Sequence, residues 1–236
     1  MPVEAVPAVS VVIPTLNEER GIVACLGSLG DDAAIEVVLS DGGSRDRTLE
    51  LARAARPGLR VIEGPAGRGG QLARGAAAAR GNVLLFLHAD CRLPDGWRPA
   101  VLEALAAPGV AIGCFRLRTE SPDGGAHGAA RARWRLLDLR GRGWGMPYGD
   151  QALFLRRDTL TAVGGVPDLP LMEDVELVRR CLRRGRLARL PLEVRTTPRR
   201  FARHPLRARL CTATFPTLYR LGVPAATLAR WYGEVR

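Results

Sequence analysis

A Rossmann-like α/β fold, with a mainly parallel sheet flanked by helices, is what this sequence predicts, on three observations. Short apolar runs, mostly without alternation, recur four times in the first 87 residues; segments with helical spacing lie between them; and the polar clusters PTLNEE, SDGGSRD and HAD stand directly behind three of the runs. Unbroken apolar runs suit strands covered on both faces. Strand and helix in alternation imply parallel pairing. In such sheets ligands bind beyond the carboxyl ends of the strands, where these polar clusters fall.

Val9 to Ile13 is the first strand, and Asn17 is placed to cap a helix with Glu18 and Glu19 in its first turn and Ile22, Cys25, Leu26 and Leu29 on one face. Ile35 to Leu39 is the second strand; Gly42 and Gly43 turn the chain, and Ser44 precedes a helix carrying Leu49, Ala52 and Ala55. Leu59 to Ile62, the alanine-rich helix QLARGAAAAR and Val83 to Leu87 complete the regular half. Beyond it, Ala111 to Leu117 reads as a strand, SPDGGAHGAA as a loop leading to a helix near Arg131 to Leu139, GRGWGMPYGD as another loop and QALFLRR as a short strand. Leu171, Val175, Val178 and Leu182 mark a helix starting near Pro170, and the chain from Phe201 forms two short helices split at Gly222 and Pro224, a C-terminal helical extension. No repeat or long linker interrupts the chain, and 236 residues with 47% hydrophobic content fit one large core, so residues 1–236 are expected to form one domain.

Composition excludes several chemistries. All 35 basic residues are arginine, so there is no lysine for a Schiff base, a Walker A loop or a kinase-type phosphate pair. The five cysteines are scattered and never form CxxC, which argues against a disulfide framework or a cysteine zinc site. No apolar stretch approaches the roughly 18 residues of a membrane span, and MPVEAVPAVS is unlike a secretory leader, so a cytoplasmic location is expected. The net charge of +11 implies an anionic partner: a diphosphate, nucleic acid or an acidic membrane face.

Three stretches carry candidate chemistry. GRGGQ, residues 67–71 with Arg68 and Gln71, precedes a helix and either cradles a phosphate on its amides or is a plain tight turn. His88 and Asp90, one residue apart, point to one side of an extended backbone and suit Mg²⁺ or Mn²⁺ beside a diphosphate; alternatively Asp90 caps a turn and His88 is a hydrogen-bonded core residue. Glu173 and Asp174 fall in the first turn of a helix, as a solvated helix start or as paired carboxylates for acid-base work. The first loop lacks GxGxxG, against a conventional dinucleotide fold.

The order of these motifs resembles the family 2 inverting glycosyltransferases of the GT-A fold. SVVIPTLNEE is similar to their opening strand and loop, VVLSDGGSRDRT to their second strand and nucleotide-contacting acid, LLFLHADCRLP to their DxD region, and LPLMEDVELVRRCLRRG to their acceptor-side ED helix. GMPYGDQALFLRR and TTPRRF resemble a bacterial subgroup, the arsenosugar-biosynthesis-type glycosyltransferases. The resemblance implies that Pro14, Thr15, Asn17 and Glu18 line a nucleotide pocket with Asp41 on base or ribose, with Gly42, Gln71 and Ala89 beside them. It implies that Asp90 holds Mg²⁺ or Mn²⁺, with His88 standing where the first acid of DxD usually does. Asp174 becomes the general base with Glu173 in support, and Gly149, Asp150 and Gln151 lie near the sugar or acceptor. Residues 1–118 then form the nucleotide-sugar half, 119–200 the acceptor half and 201–236 the helical segment. The resemblance implies a UDP or GDP sugar as donor and a small molecule or lipid as acceptor. Arg199 and Arg200, like Arg68, suit the diphosphate as planar forks, or lie on solvated surface. Trp144 and Tyr148 either stack on a sugar or anchor packing.

Two rivals differ in class. A nucleotidyltransferase of related fold releases pyrophosphate, but commonly holds its triphosphate with a lysine or a Gly-rich first loop, and PTLNEE supplies neither. A basic nucleic-acid-binding protein accounts for the charge but not for acids at successive strand ends, so no nucleic-acid partner is expected. RHPLRARLCTATFPTLYRLG suits peripheral contact with the inner membrane face, a homodimer contact or core packing.

Overall fold

The protein is described by a computed structural model covering residues 8–120, 146–197 and 205–233. Its strands are β1 (Val9–Thr15), β2 (Ile35–Asp41), β3 (Arg60–Glu63), β4 (Val83–Phe86), β5 (Cys91–Arg92), β6 (Val110–Thr119), β7 (Phe154–Arg156) and β8 (Arg186–Thr196). The helices are α1 (Ile22–Gly27), α2 (Thr48–Ala55), α3 (Arg68–Ala78), α4 (Trp97–Ala106), α5 (Arg157–Ala162), α6 (Glu173–Leu182), α7 (Pro205–Arg220) and α8 (Ala225–Gly233), with a 3₁₀ turn at Gly149–Gln151. The expected helix at 131–139, the loop at 121–130, Trp144, Arg199 and Arg200 lie outside the described residues.

One eight-stranded sheet runs in the order β3-β2-β1-β4-β7-β6-β8-β5. β3, β2, β1 and β4 are mutually parallel, β7 is antiparallel to both its neighbours, β6 and β8 pair in parallel, and β5 closes the edge antiparallel to β8. The unbroken apolar runs have a simple cause. Val11, Ile13, Val37, Leu39, Leu85 and Leu87 point into one core with α1, α2 and α4, while Val12, Val38, Leu84 and Phe86 point into a second with α3 and α6. Every residue of β2 and β4, and of β1 apart from Pro14, is buried, each large side chain contributing roughly 1.5–3 kcal/mol, whereas β3 at the sheet edge is only partly covered. α3 lies close on the second face because Gly75 lets it: a Cβ there would come within 2.4 Å of Val12 Cγ1. A third cluster joins Leu171, Met172 and Val175 to Cys211, Phe215 and Leu228, seating α7 and α8 against α6.

The sheet order places β1 between β2 and β4, so the chain's two directions of winding diverge at β1 and open a crevice at the carboxyl edge. Both parallel pairings carry the expected ends there, with Thr15 opposite Asp41 and Val12 opposite Phe86.

Three local expectations need correction. The first helix starts at Ile22 with Gly21 before it, and Asn17 takes a left-handed φ of 55°, so Asn17 is no cap and Glu18 and Glu19 lie outside the helix. The second helix starts at Thr48, because the Ser44 hydroxyl donates to Asp41 Oδ1 (2.6 Å) and Asp46 Oδ1 accepts from the Thr48 amide (3.0 Å) instead. α6 starts at Glu173, three residues after Pro170, where Met172 at φ 67° breaks the preceding chain.

Candidate active site

The loops behind β1 and β2 are bonded to each other. Asp41 is buried, and its carboxylate accepts from Thr15 Oγ1 (3.0 Å), Ser44 Oγ (2.6 Å) and the amides of Gly43 (2.8 Å) and Ser44 (2.7 Å). Burial alone would push this carboxyl up, but the donors of Ser44, Thr15 and Gly43 outweigh it and hold the group below the usual carboxylate range. Asn17 crosses the same gap: its amide donates to Ser44 Oγ (2.9 Å) and its Oδ1 accepts from the Arg45 amide (2.9 Å). The Glu18 amide donates to Thr48 Oγ1 (2.7 Å), and the Gly42 amide to the Thr15 carbonyl (2.9 Å). Gln71 spans the floor, its Nε2 donating to the carbonyls of Thr15 (2.7 Å) and Ser40 (2.9 Å) while its Oε1 accepts from Gly67 (3.2 Å). Pro14, Thr15, Asn17, Glu18, Asp41, Gly42 and Gln71 therefore form one braced cradle. Within it Asp41 and Gln71 are spent on shaping the walls.

The turn after β4 is closed by the Cys91 amide donating to the His88 carbonyl (3.0 Å) across Ala89 and Asp90. His88, Asp90 and Cys91 present ligand atoms within 4.8 Å of one another. Cys91 adds itself to the pair read from the sequence; nothing in the spacing marked it, since its side chain is brought in by the turn. Its thiol donates to Asp90 Oδ1 (3.6 Å), and burial, with Asp90 beside it, pushes its pKa well up, so it is a protonated thiol at neutral pH. The imidazole and the carboxylate are a fitting donor pair for a borderline or hard divalent cation that retains waters. Cys25 links this turn to the first cradle: its thiol donates to the His88 carbonyl (3.6 Å) and is raised by burial and by the charges of Asp90 and Glu18.

α6 brings its first turn to the same place. Asp174 Oδ2 accepts from the Gly149 amide (2.7 Å) and Oδ1 from the Val175 amide (2.8 Å). Gly149 is wedged between partners: a Cβ on it would lie 2.9 Å from His88 Nε2 and 3.3 Å from Asp174 Oδ2. His88, from the turn after β4, and Asp174, from α6, thus flank one glycine and line one small cavity with Glu173, Phe86, Leu72 and Leu177. Gln151 fixes the turn by donating to the Phe115 carbonyl (2.9 Å) and accepting from the Tyr148 amide (3.2 Å), and the Cys91 thiol reaches the Asp150 carbonyl (3.8 Å). Tyr148 packs with the third cluster.

Arg68, at the start of α3, donates to Glu173 Oε1 and stands 3.8 Å from Asp174 Oδ2. In this state it serves the two acids. Glu173 is 1% exposed, and its Oε2 has no hydrogen-bond partner among the described residues. Burial raises its pKa, Arg68 pulls the other way, Asp174 adds to the rise, and the balance is upward. The arrangement brings an imidazole and a carboxylate from the turn after β4 and a pair of buried acids from α6 to either side of Gly149.

Comparison with known proteins gives a consistent result. The sequence pattern of the family described as Glycosyl transferase family 2 matches residues 10–163. The undecaprenyl-phosphate 4-deoxy-4-formamido-L-arabinose transferase of Pseudomonas aeruginosa (strain LESB58) is 34% identical over 165 residues, 63% of this chain and 46% of that protein, so the chain spans less than half the length of that relative. S. aureus TarS (1–349) in complex with UDP-GlcNAc superposes with a TM-score of 0.59 at 18% identity, over 80% of this chain and 58% of that one. Glucosyl-3-phosphoglycerate synthase from Mycobacterium tuberculosis, solved with Mn²⁺, UDP and glucosyl-3-phosphoglycerate, superposes with a TM-score of 0.53 at 25% identity, over 79% and 70%. These likenesses show the fold to be of the GT-A type.

Proposed function

Because the chain belongs to glycosyl transferase family 2, we propose that it moves a sugar from a nucleoside-diphosphate sugar, of UDP or GDP type, to an acceptor hydroxyl with inversion at the anomeric carbon. The observation that carries this reading is the meeting of His88 and Asp174 across Gly149, with Asp90 in the same turn as His88. The bound UDP-GlcNAc and UDP of the two structural neighbours support the donor class.

In this reading Pro14, Thr15, Asn17, Glu18, Asp41 and Gly42 form the nucleotide side, the first 118 residues holding the donor and 119–200 the acceptor. Asp174 is the general base: it takes the proton of the acceptor hydroxyl as that oxygen attacks, its Oδ2 aligned by the Gly149 amide. Glu173 and Arg68 support it, the guanidinium balancing the carboxylate pair. Asp150 and Gln151 shape the floor on the sugar side. His88 and Asp90 would hold Mg²⁺ or Mn²⁺, a role supported by the Mn²⁺ of the mycobacterial neighbour, and the ion would supply charge stabilisation at the departing diphosphate. The acceptor is a small molecule or a lipid. Within the family, GMPYGDQALFLRR and TTPRRF support a place beside the arsenosugar-biosynthesis-type enzymes.

The test is a thermal-shift panel of UDP and GDP with and without Mn²⁺, since a ligand bound only by the folded chain raises its melting temperature. One diphosphate should respond, and the response should grow with metal. A panel without any response would sink the reading, and release of pyrophosphate during turnover would transfer it to the nucleotidyltransferases.

A further inference from the structure

The arginine excess is not spread along the chain. Residues 1–176 carry 20 arginines against 22 acidic residues, whereas residues 177–236 carry 15 against two, Glu193 and Glu234. The whole positive balance sits on the C-terminal part of α6 and on the chain beyond that helix. Neither α7 nor α8 contains an acid.

α7 has an inner and an outer face. Cys211 and Phe215 are buried against α6, and the Tyr219 hydroxyl donates to Glu176 Oε2 of that helix (3.3 Å). Leu210 lies nine residues before Tyr219, half a turn away at about 100° per residue, and Leu221 comes back to within about 20° of Leu210. The Leu221 amide still donates to the Thr217 carbonyl (3.0 Å), so the helical path reaches it. Leu210 is 65% exposed and Leu221 77%, with Thr217 and Arg220 exposed beside them. On α6, Leu182 is exposed among the exposed Arg179, Arg183 and Arg184.

Arg179 is paired with Glu176, but no ion pair is seen for Arg183, Arg184 or Arg220 among the described residues; leucines in the open edged by such arginines match the chemistry of an anionic bilayer, where guanidinium groups meet headgroup phosphates while the apolar side chains enter the acyl boundary. A second copy of the chain would set like charge against like charge. Nucleic acid would engage the arginines but give the leucines nothing. We propose that the outer face of α7, with Leu210, Leu221 and Arg220, and the arginines at the end of α6 dock on an anionic lipid surface. This docking is independent of the reaction performed at the cradle.

Sedimentation of the full chain with vesicles of phosphatidylglycerol and phosphatidylcholine, against phosphatidylcholine alone, tests it. Binding is expected only to the anionic vesicles, weakening as salt is raised from about 0.05 to 0.5 M. The double substitution Leu210→Asn, Leu221→Asn should weaken it by roughly tenfold or more, as expected for apolar groups leaving a bilayer, with the unfolding temperature unchanged because both side chains are solvated. Absence of binding, equal binding to neutral vesicles, or vesicle binding indifferent to the double substitution would overturn the proposal. So would a vesicle-free dimer that the double substitution dissolves, or tighter binding to a single-stranded RNA oligonucleotide that ignores both leucines.

Discussion

The cradle behind β1 and β2 and the crossing between β4 and α6 are built on opposite terms. In the cradle the carboxylate of Asp41 has four protein donors, and Asn17 and Gln71 tie the loops together. At the crossing, Glu173 keeps a buried carboxylate oxygen without a hydrogen bond among the described residues, and Ala152 and Met172 hold left-handed backbone at φ 48° and 67°; the cradle has one such residue, Asn17 at φ 55°, and one such atom, the Ser40 hydroxyl. Hydrogen bonds lower Asp41 against the effect of its burial, while burial, with Asp174 beside it, raises Glu173. The difference lies in the two carboxylates: one is satisfied by donors, the other is buried with an oxygen left over, the kind of setting in which carboxyl pKa values are perturbed.

Substitutions can break or sharpen this contrast. The largest effect is expected for Asp174→Asn, which should lower kcat by about 10²- to 10⁴-fold while leaving the UDP or GDP thermal shift intact; loss of both together would move Asp174 into the cradle. Gly149→Ala comes next. Its methyl would press on His88 Nε2 and Asp174 Oδ2, and misplacing groups by about 1 Å can cost 10²-fold in turnover, with metal-free diphosphate binding kept and its enhancement by metal reduced.

On the cradle side the readout is stability and affinity. Asp41→Asn leaves donors facing an amide and should cost about 1–3 kcal/mol in denaturant unfolding, with weaker diphosphate binding. It should also change the response to acid. Asp41's folded pKa is lowered, so its stabilisation is complete above the unfolded value of about 3.9 and is lost as pH falls through the folded one; the variant should show a flatter acid limb. Glu173 should behave in the opposite sense and with the smallest effect. Its folded pKa is raised, so stability declines as pH rises from the unfolded value of about 4.3 through the folded one, and Glu173→Gln should remove that decline. A steeper slope in the variant would show that Arg68 keeps Glu173 ionised throughout.

The first half of the fold is legible because its signals are local. Apolar runs buried on both faces look the same in any such sheet, and the polar residues behind them can be read at once as strand ends. QALFLRR is legible as the strand β7 but its antiparallel direction is not, and neither are the two-residue β5 and α4: the pairings of β7 and β5 are set by partners far along the chain, and α4 follows a turn read only as RLPDGW. Asn17 shows a different failure: a residue suited to a cap in isolation is taken by Arg45, 28 positions on. Asp90 and Asp174 stood out as acids near strand and helix ends, but the contact of Gly149 with Asp174, and the approach of His88 to that glycine, depend on how distant turns meet.

Glu173, Asp174 and Glu176 occupy a single turn of α6, and the last of them accepts the hydroxyl of Tyr219 from α7. The C-terminal helices are therefore a backrest for the acidic turn of α6 rather than an appendage. Truncation before Pro205 should impair turnover even where the sheet still folds, and purification handles belong at the opposite terminus.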